Sequence, residues 1–146
     1  MKTCEQCGNP VPSEAYLCPY CGGHDLEVPS GALVVKRLDL GHDGLTVAEA
    51  RVRLSDAINV ASYKGDDVLI VVHGYGSSGS GGRIRSMVRS EATQALKSGG
   101  LSGWIAGEEL GRGGSRARQM VRRLPALADI EVWQRENPGI SVLVVR

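Results

Sequence analysis

Two hydrophobic periods take turns along most of this chain. Residues 32–40, ALVVKRLDL, begin as an apolar run and then alternate, as a first strand does. Gly41, His42, Asp43 and Gly44 break that run. Thr46, followed three residues later by Glu49, spells a capping box, in which hydroxyl and carboxylate satisfy orphan N–H groups at a helix start. Val47, Ala50, Leu54, Ala57, Ile58 and Ala61 then recur at helical spacing, and Gly65 ends the helix. Val68 to Val72 is a second strand, apolar throughout. A second helix starts near Arg83, buries Ile84, Met87, Val88, Ala92 and Ala95, and stops at Gly99 and Gly100. Residues 101–106, LSGWIA, read as a further strand, and 107–114, GEELGRGG, as a turn-rich insertion. Ser115 is expected to cap a third helix that turns Ala117, Met120, Val121 and Leu124 inward until Pro125. Asn137, Pro138 and Gly139 make a turn before a final apolar strand over residues 140–145. Strands alternating with helices imply stacked α/β layers with at least one parallel strand pair.

The N-terminal stretch follows neither period. Cys4, Cys7, Cys18 and Cys21 are all the cysteines of the chain, and they form two knuckles, CEQCG and CPYCG. Each CxxC turn presents two thiolates from one tight loop, with Gly8 and Gly22 allowing the backbone to turn beneath the sulfurs. Two facing knuckles complete a tetrahedral S4 site, which suits Zn²⁺. Two disulfides, a redox CxxC and an iron–sulfur site compete with that reading. Structural zinc is favoured by the spacing, because disulfides are rare in a cytoplasmic chain and redox work needs no paired knuckles. So short a segment buries too little apolar surface to fold alone, so metal binding supplies its folding free energy. Four thiolates leave no open position, which makes the site structural. His24 reads as an exposed loop residue. The expected organisation is a zinc ribbon at 1–24, a Gly-, Pro- and acid-rich linker at 25–31 and an α/β domain at 32–146.

Composition narrows the function. At 42% hydrophobic and 23% charged this is an ordinary globular chain. Only six aromatics are present, so a sheet that stacks bases on aromatic platforms is not expected. No apolar run approaches the ~20 residues of a membrane span, and no signal-peptide core follows Lys2, so the expected location is the cytoplasm. The net charge of +1 hides an asymmetry: residues 81–123 hold nine bases and three acids. Such a run suits either a polyanion partner or two solvated helix faces.

The stretch 68–89, VLIVVHGYGSSGSGGRIRSMVR, organises the rest. Strand, glycine-rich loop and basic helix together can aim backbone N–H groups at an anion. No GxxxxGK[ST] motif is present, which excludes a P-loop nucleotide site as a motif match, and no GxGxxG follows a first strand with a matching acid.

Leu38 to Leu40 (LDL), GLTVAEA from Gly44, HGYGSSGSGG from His73, GEELG from Gly107 and NPGISVLVV near the C-terminus together resemble a small MutS-related (Smr) domain. The resemblance implies a two-layer α/β sandwich, similar to the C-terminal domain of a bacterial translation initiation factor. It also implies binding of DNA or RNA, and some family members are endonucleases. The family places a His directly after Leu-Asp-Leu, whereas here Gly41 stands there and His42 follows. For phosphodiester hydrolysis the candidates are His73 as acid or base, Asp39 to orient an imidazole, and His42 as the second imidazole. Gly74 and Gly76 through their N–H groups, with Arg83, Arg85 and Arg89, are the candidate phosphate holders, and Tyr75 a candidate base contact. Against catalysis, His73 can equally cap its strand and Asp39 close a turn. A catalytic divalent metal is left unassigned. The alternative to an endonuclease is a non-catalytic adaptor, whose ribbon docks a protein while the Smr-like domain holds nucleic acid.

Overall fold

A computed structural model describes residues 2–12, 17–23, 33–41, 44–74, 81–111 and 114–145. The chain divides into two compact units, Met1–Ala32 and Leu33–Arg146. His42, Tyr75, Gly76 and the expected linker at 25–31 lie outside the described residues.

In the first unit, strands β1 (Lys2–Thr3) and β2 (Pro10–Val11) pair antiparallel across the first knuckle. Gly8 and Gly22 take φ of 77° and 72°, the left-handed region a side chain resists. Each donates its N–H, at 2.8 Å, to the carbonyl of the knuckle's first cysteine, Cys4 or Cys18. The two CxxCG turns are therefore built alike.

The second unit is a four-stranded sheet in the order β3-β4-β6-β5. Its strands are β3 (Val35–Asp39), β4 (Val68–Val72), β5 (Gly103–Ala106) and β6 (Ile140–Val144). β3 and β4 run parallel, joined by helix α1 (Val47–Lys64), and β6 runs antiparallel to both β4 and β5. The outer strands are shorter than the sequence pattern suggests. β3 begins at Val35 because Leu33 and Val34 stay outside the ladder, Val34 instead pairing its N–H with the Asp67 carboxylate at 2.8 Å.

Helices pack on the sheet as an α/β sandwich requires. α1 and α2 (Gly81–Ser98) cover one face, burying Ala50, Leu54, Ile84, Met87, Val88 and Ala92 on Leu69, Val71 and Leu143. A further cover lies on the opposite face, made by the expected third helix and by 3-10 turns that the sequence pattern does not predict. There α3 (Ser115–Arg123) and short 3-10 turns at Pro125–Asp129 and Glu131–Gln134 bury Ala117, Leu127 and Trp133 against Val68, Ile70, Val142 and Val144. The apolar runs of β4, unbroken, and of β6, interrupted only by Ser141, are the signature of strands buried on both faces. The edge strand β3 instead exposes Lys36 and Arg37, charges that discourage pairing with another chain.

The helix ends follow their local chemistry. Thr46 Oγ1 accepts from Glu49 N and Glu49 Oε1 accepts from Thr46 N, both at 3.1 Å, closing the expected capping box. Gly65 ends α1 with φ of 76°. For α3 the expectation is corrected by one residue: Gly114 is the cap, with no side-chain bond, and Ser115 is already helical. Thr46→Ala should destabilise the second unit by about 0.5–2 kcal/mol in chemical denaturation, since it leaves the Glu49 amide without its partner.

Candidate nucleic-acid interface and thiolate cluster

Strands β3, β4 and β5 all point the same way, so their carboxyl ends meet the start of β6 at one end of the sheet. Ligands of open α/β sheets bind at such ends. Asp39, His73, Gly74, Glu108 and Ser141 all belong to this end, and the first turns of α2 begin above it.

His73 is 1% exposed. The period of two along β4 turns it to the α2 side, as it does Val71, while the antiparallel register puts Ser141 and Leu143 of β6 on that side too. Nδ1 lies 2.9 Å from the Gly74 carbonyl and Nε2 lies 2.9 Å from Ser141 Oγ. A carbonyl only accepts, so Nδ1 carries the proton and Nε2 accepts from the Ser141 hydroxyl. Burial pushes the pKa of His73 below its usual range; the Gly74 carbonyl opposes that shift and the charges of Arg89 and Arg85 reinforce it. The imidazole is neutral at physiological pH, with both nitrogens engaged.

The sequence casts Asp39 as a carboxylate that orients an imidazole. At His73 the Gly74 carbonyl and Ser141 hold the ring, and Asp39 Oδ1 accepts from the Gly41 N–H at 2.8 Å, closing the turn after β3. A second correction concerns Gly74. Its N–H is donated to the Gly139 carbonyl at 3.0 Å, as is that of His73, so the Gly74 amide is not free to cradle phosphate.

The arginines divide by their surroundings. Arg83 is exposed and has no hydrogen-bond or ion-pair partner among the described residues, while Arg85 is half-buried. Arg89, one turn further on, is committed to Glu108: Nη1 donates to Oε2 at 2.8 Å and Nη2 to Oε1. Its Nε also lies 3.5 Å from Ser141 Oγ, so a chain of contacts runs from Gly74 through His73, Ser141 and Arg89 to Glu108. The bonds from Arg89 hold the Glu108 carboxyl below its ordinary range.

The basic run read from the sequence is split in space. Arg118, Arg122 and Arg123 are exposed on α3, which packs on the face opposite α2. Arg116 is occupied locally, its guanidinium 5.1 Å from the Trp104 ring centre and bonded to the Trp104 carbonyl at 2.8 Å. The residues that sequence reasoning passed over are Ser141 and Glu108. Ser141 left a trace, being the one polar residue in ISVLVV.

In the first unit the four cysteine sulfurs lie within 4.8 Å of one another, an arrangement able to hold a metal ion. Cys4 and Cys21 are 3.7 Å apart and Cys7 and Cys18 3.6 Å, each close pair crossing between knuckles. All four are free thiols, so the disulfide alternative is not realised. Within the cluster the Asn9 main-chain N–H lowers the Cys7 thiol to about 6, while burial and the neighbouring cysteine side chains raise Cys21 to about 12.

Residues 38–101 match the family model described as the Smr domain. Over that segment the chain is similar to an Smr domain. The matched segment runs from β3 through α2, so it contains the glycine loop and the three arginines. Among solved structures the chain is similar to the Smr domain of Thermus thermophilus MutS2, with 21% identity, a TM-score of 0.47 and coverage of 76% of this chain and 98% of that one. No curated protein matches. Smr domains bind nucleic acid, and some cleave it. Among the described residues no helix is long and apolar enough to cross a membrane.

Because the folded protein disfavours protonated His73, the unfolded chain takes up a proton near the usual value of 6.5 that the folded one refuses. The stability this histidine contributes is therefore complete above about pH 6.5 and is lost as pH falls toward the lower folded value. Denaturant titrations at pH 7.5 and 5.5 should show wild type losing more stability on acidification than His73→Gln does. Equal losses would contradict the neutral, buried assignment.

Proposed function

We propose that this protein binds nucleic acid through the carboxyl end of its sheet and the first turns of α2. The observation that carries this reading is the charge at the start of that helix. α1 obeys the usual rule, with Glu49 in its first turn and Lys64 in its last. α2 breaks it: no acid stands in its first turn, and Arg83, Arg85 and Arg89 all precede its first acid, Glu91. Arg83 stands in the first turn, where an exposed cation opposes the macrodipole by about 0.3–1 kcal/mol. Such a local penalty, placed beside a glycine-rich loop inside a segment similar to an Smr domain, fits a site that a phosphate backbone completes.

Binding is a better-supported role than endonuclease activity. His73 is buried with both nitrogens engaged, and Asp39 serves a turn, so neither offers a proton to a phosphodiester in this arrangement. The adaptor reading draws on a separate observation: Leu17 and Tyr20, beside Cys18 and Cys21, are 49% and 66% exposed. Apolar side chains held out by a rigid knuckle suit a protein partner.

Zinc is the metal we assign to the ribbon. Zn–S bonds of about 2.3 Å in a tetrahedron require sulfurs about 3.8 Å apart, and the close pairs at 3.6 and 3.7 Å meet that spacing. The ion would cross-link the two knuckles and leave no open position for chemistry. Protein purified under reducing conditions should hold one zinc per chain by elemental analysis, and Cys4→Ser should abolish it. A stoichiometric iron signal would overturn the assignment.

Labelled DNA and RNA, single- and double-stranded, should be retained with an affinity that falls as salt rises. Arg85→Ala should weaken every sequence about equally and reduce the slope of log affinity against log salt by about one unit. An unchanged slope would remove Arg85 from the interface. In the same titration Leu17→Ser with Tyr20→Ser should leave affinity unaltered if the ribbon faces a protein, and lower it if the ribbon touches nucleic acid.

A further inference from the structure

Arg89 already has an anion. The carboxylate of Glu108 occupies both ends of its guanidinium fork, the geometry in which arginine also grips phosphate. Glu108 reaches that position from the turn just after β5, where Gly107 packs so tightly under the 137–140 turn that an added Cβ would collide with the Asn137 and Ile140 carbonyls. The carboxylate is thus delivered by a fixed piece of backbone, not by a wandering loop.

Resting on the nucleic-acid reading above, we infer that Glu108 is an internal stand-in for a backbone phosphate. It is a specificity-determining residue that keeps Arg89 from small anions and yields it to a polymer. Three observations carry this. Arg85 and Arg89 lie one turn apart on α2, and the positive charge of Arg85 also acts on Glu108, so the carboxylate sits in the field of the two cations a nucleic-acid strand would meet. The pair is only partly covered, with 22% of the Arg89 side chain and 39% of the Glu108 side chain exposed, so an incoming strand can reach it. Finally, Glu108 lines an open crevice of about 640 Å³, so a displaced carboxylate has room to turn away, although Glu109 and Glu136 share that wall with Arg135.

The selectivity follows from effective concentration. A carboxylate tethered to the same fold competes at millimolar local concentration or above, which a free anion at lower concentration does not match. A strand already held by Arg83 and Arg85 presents its next phosphate to Arg89 under the same tethered condition. The exchange is then carboxylate for phosphate, and the balance favours only a ligand that is multiply anchored.

The test measures binding of a labelled oligonucleotide to the full chain by anisotropy, at constant ionic strength, with inorganic phosphate as competitor. Glu108→Gln should tighten binding by about 1.5-fold to fivefold, the scale of a partly exposed ion pair. It should also make the complex more sensitive to inorganic phosphate than wild type is. Adding Arg89→Ala to Glu108→Gln should erase the gain, whereas Arg89→Ala alone should cost less than it does in that background. Glu108→Asp, which keeps the charge but shortens the reach, should show a smaller gain and carries the test should the Gln variant melt below assay temperature. A folded Glu108→Gln or Glu108→Asp protein that binds no better than wild type would overturn the inference. If wild type itself retains no oligonucleotide, or does so without dependence on salt or on Arg85, the nucleic-acid reading fails instead.

Discussion

Burial of β4 on both faces is the constraint from which the functional end is built. A strand that alternates sides must hand one set of residues to each layer, so Leu69 and Val71 go under α1 and α2 while Val68 and Ile70 go to the opposite core. One residue past the strand, the same alternation delivers His73 to the α2 side, where it is sealed. A buried imidazole must satisfy both nitrogens, and the antiparallel register of β6 provides for this by setting Ser141 opposite Val71. The hydrogen bonds at His73 are thus a consequence of sheet register.

Ser141 links that sealed position to the surface. Its hydroxyl gives its proton to His73 and its oxygen faces Arg89, so the strand end, the helix and the Glu108 turn share one polar chain. Neutral His73 suits this chain, because a third positive charge beneath Arg85 and Arg89 would have no anion of its own. Low local dielectric strengthens such contacts and penalises any unpaired member.

Much of the fold was legible because its signals are local. The Thr46–Glu49 box, Gly65, the limits of β4 and the inward faces of α1 and α2 each depend on residues within a few positions of one another. The 3-10 part of the cover on the second face was not foreseen, since those turns have no period and Trp133 and Leu127 bury themselves only through distant partners. The site divides along the same line. The glycine loop and the α2 arginines were visible as a contiguous stretch. Commitment of the Gly74 N–H to Gly139 and of Arg89 to Glu108 spans 65 and 19 positions, and no local pattern encodes either.

The two units illustrate opposite uses of charge. In the ribbon, four cysteine sulfurs converge within 4.8 Å, an arrangement able to hold a metal ion, whose charge would offset that of four thiolates. At the start of α2, positive groups converge with no acid of their own helix among them, and the charge is offset for Arg89 by a glutamate that arrives from β5. A carboxylate neutralises one fork; it leaves the exposed guanidinium of Arg83 facing water. The start of α2 therefore keeps the positive charge of Arg83 exposed while the Arg89 fork is already satisfied. On the proposed nucleic-acid reading, that combination stabilises the empty protein and would still reward a ligand long enough to meet several arginines at once.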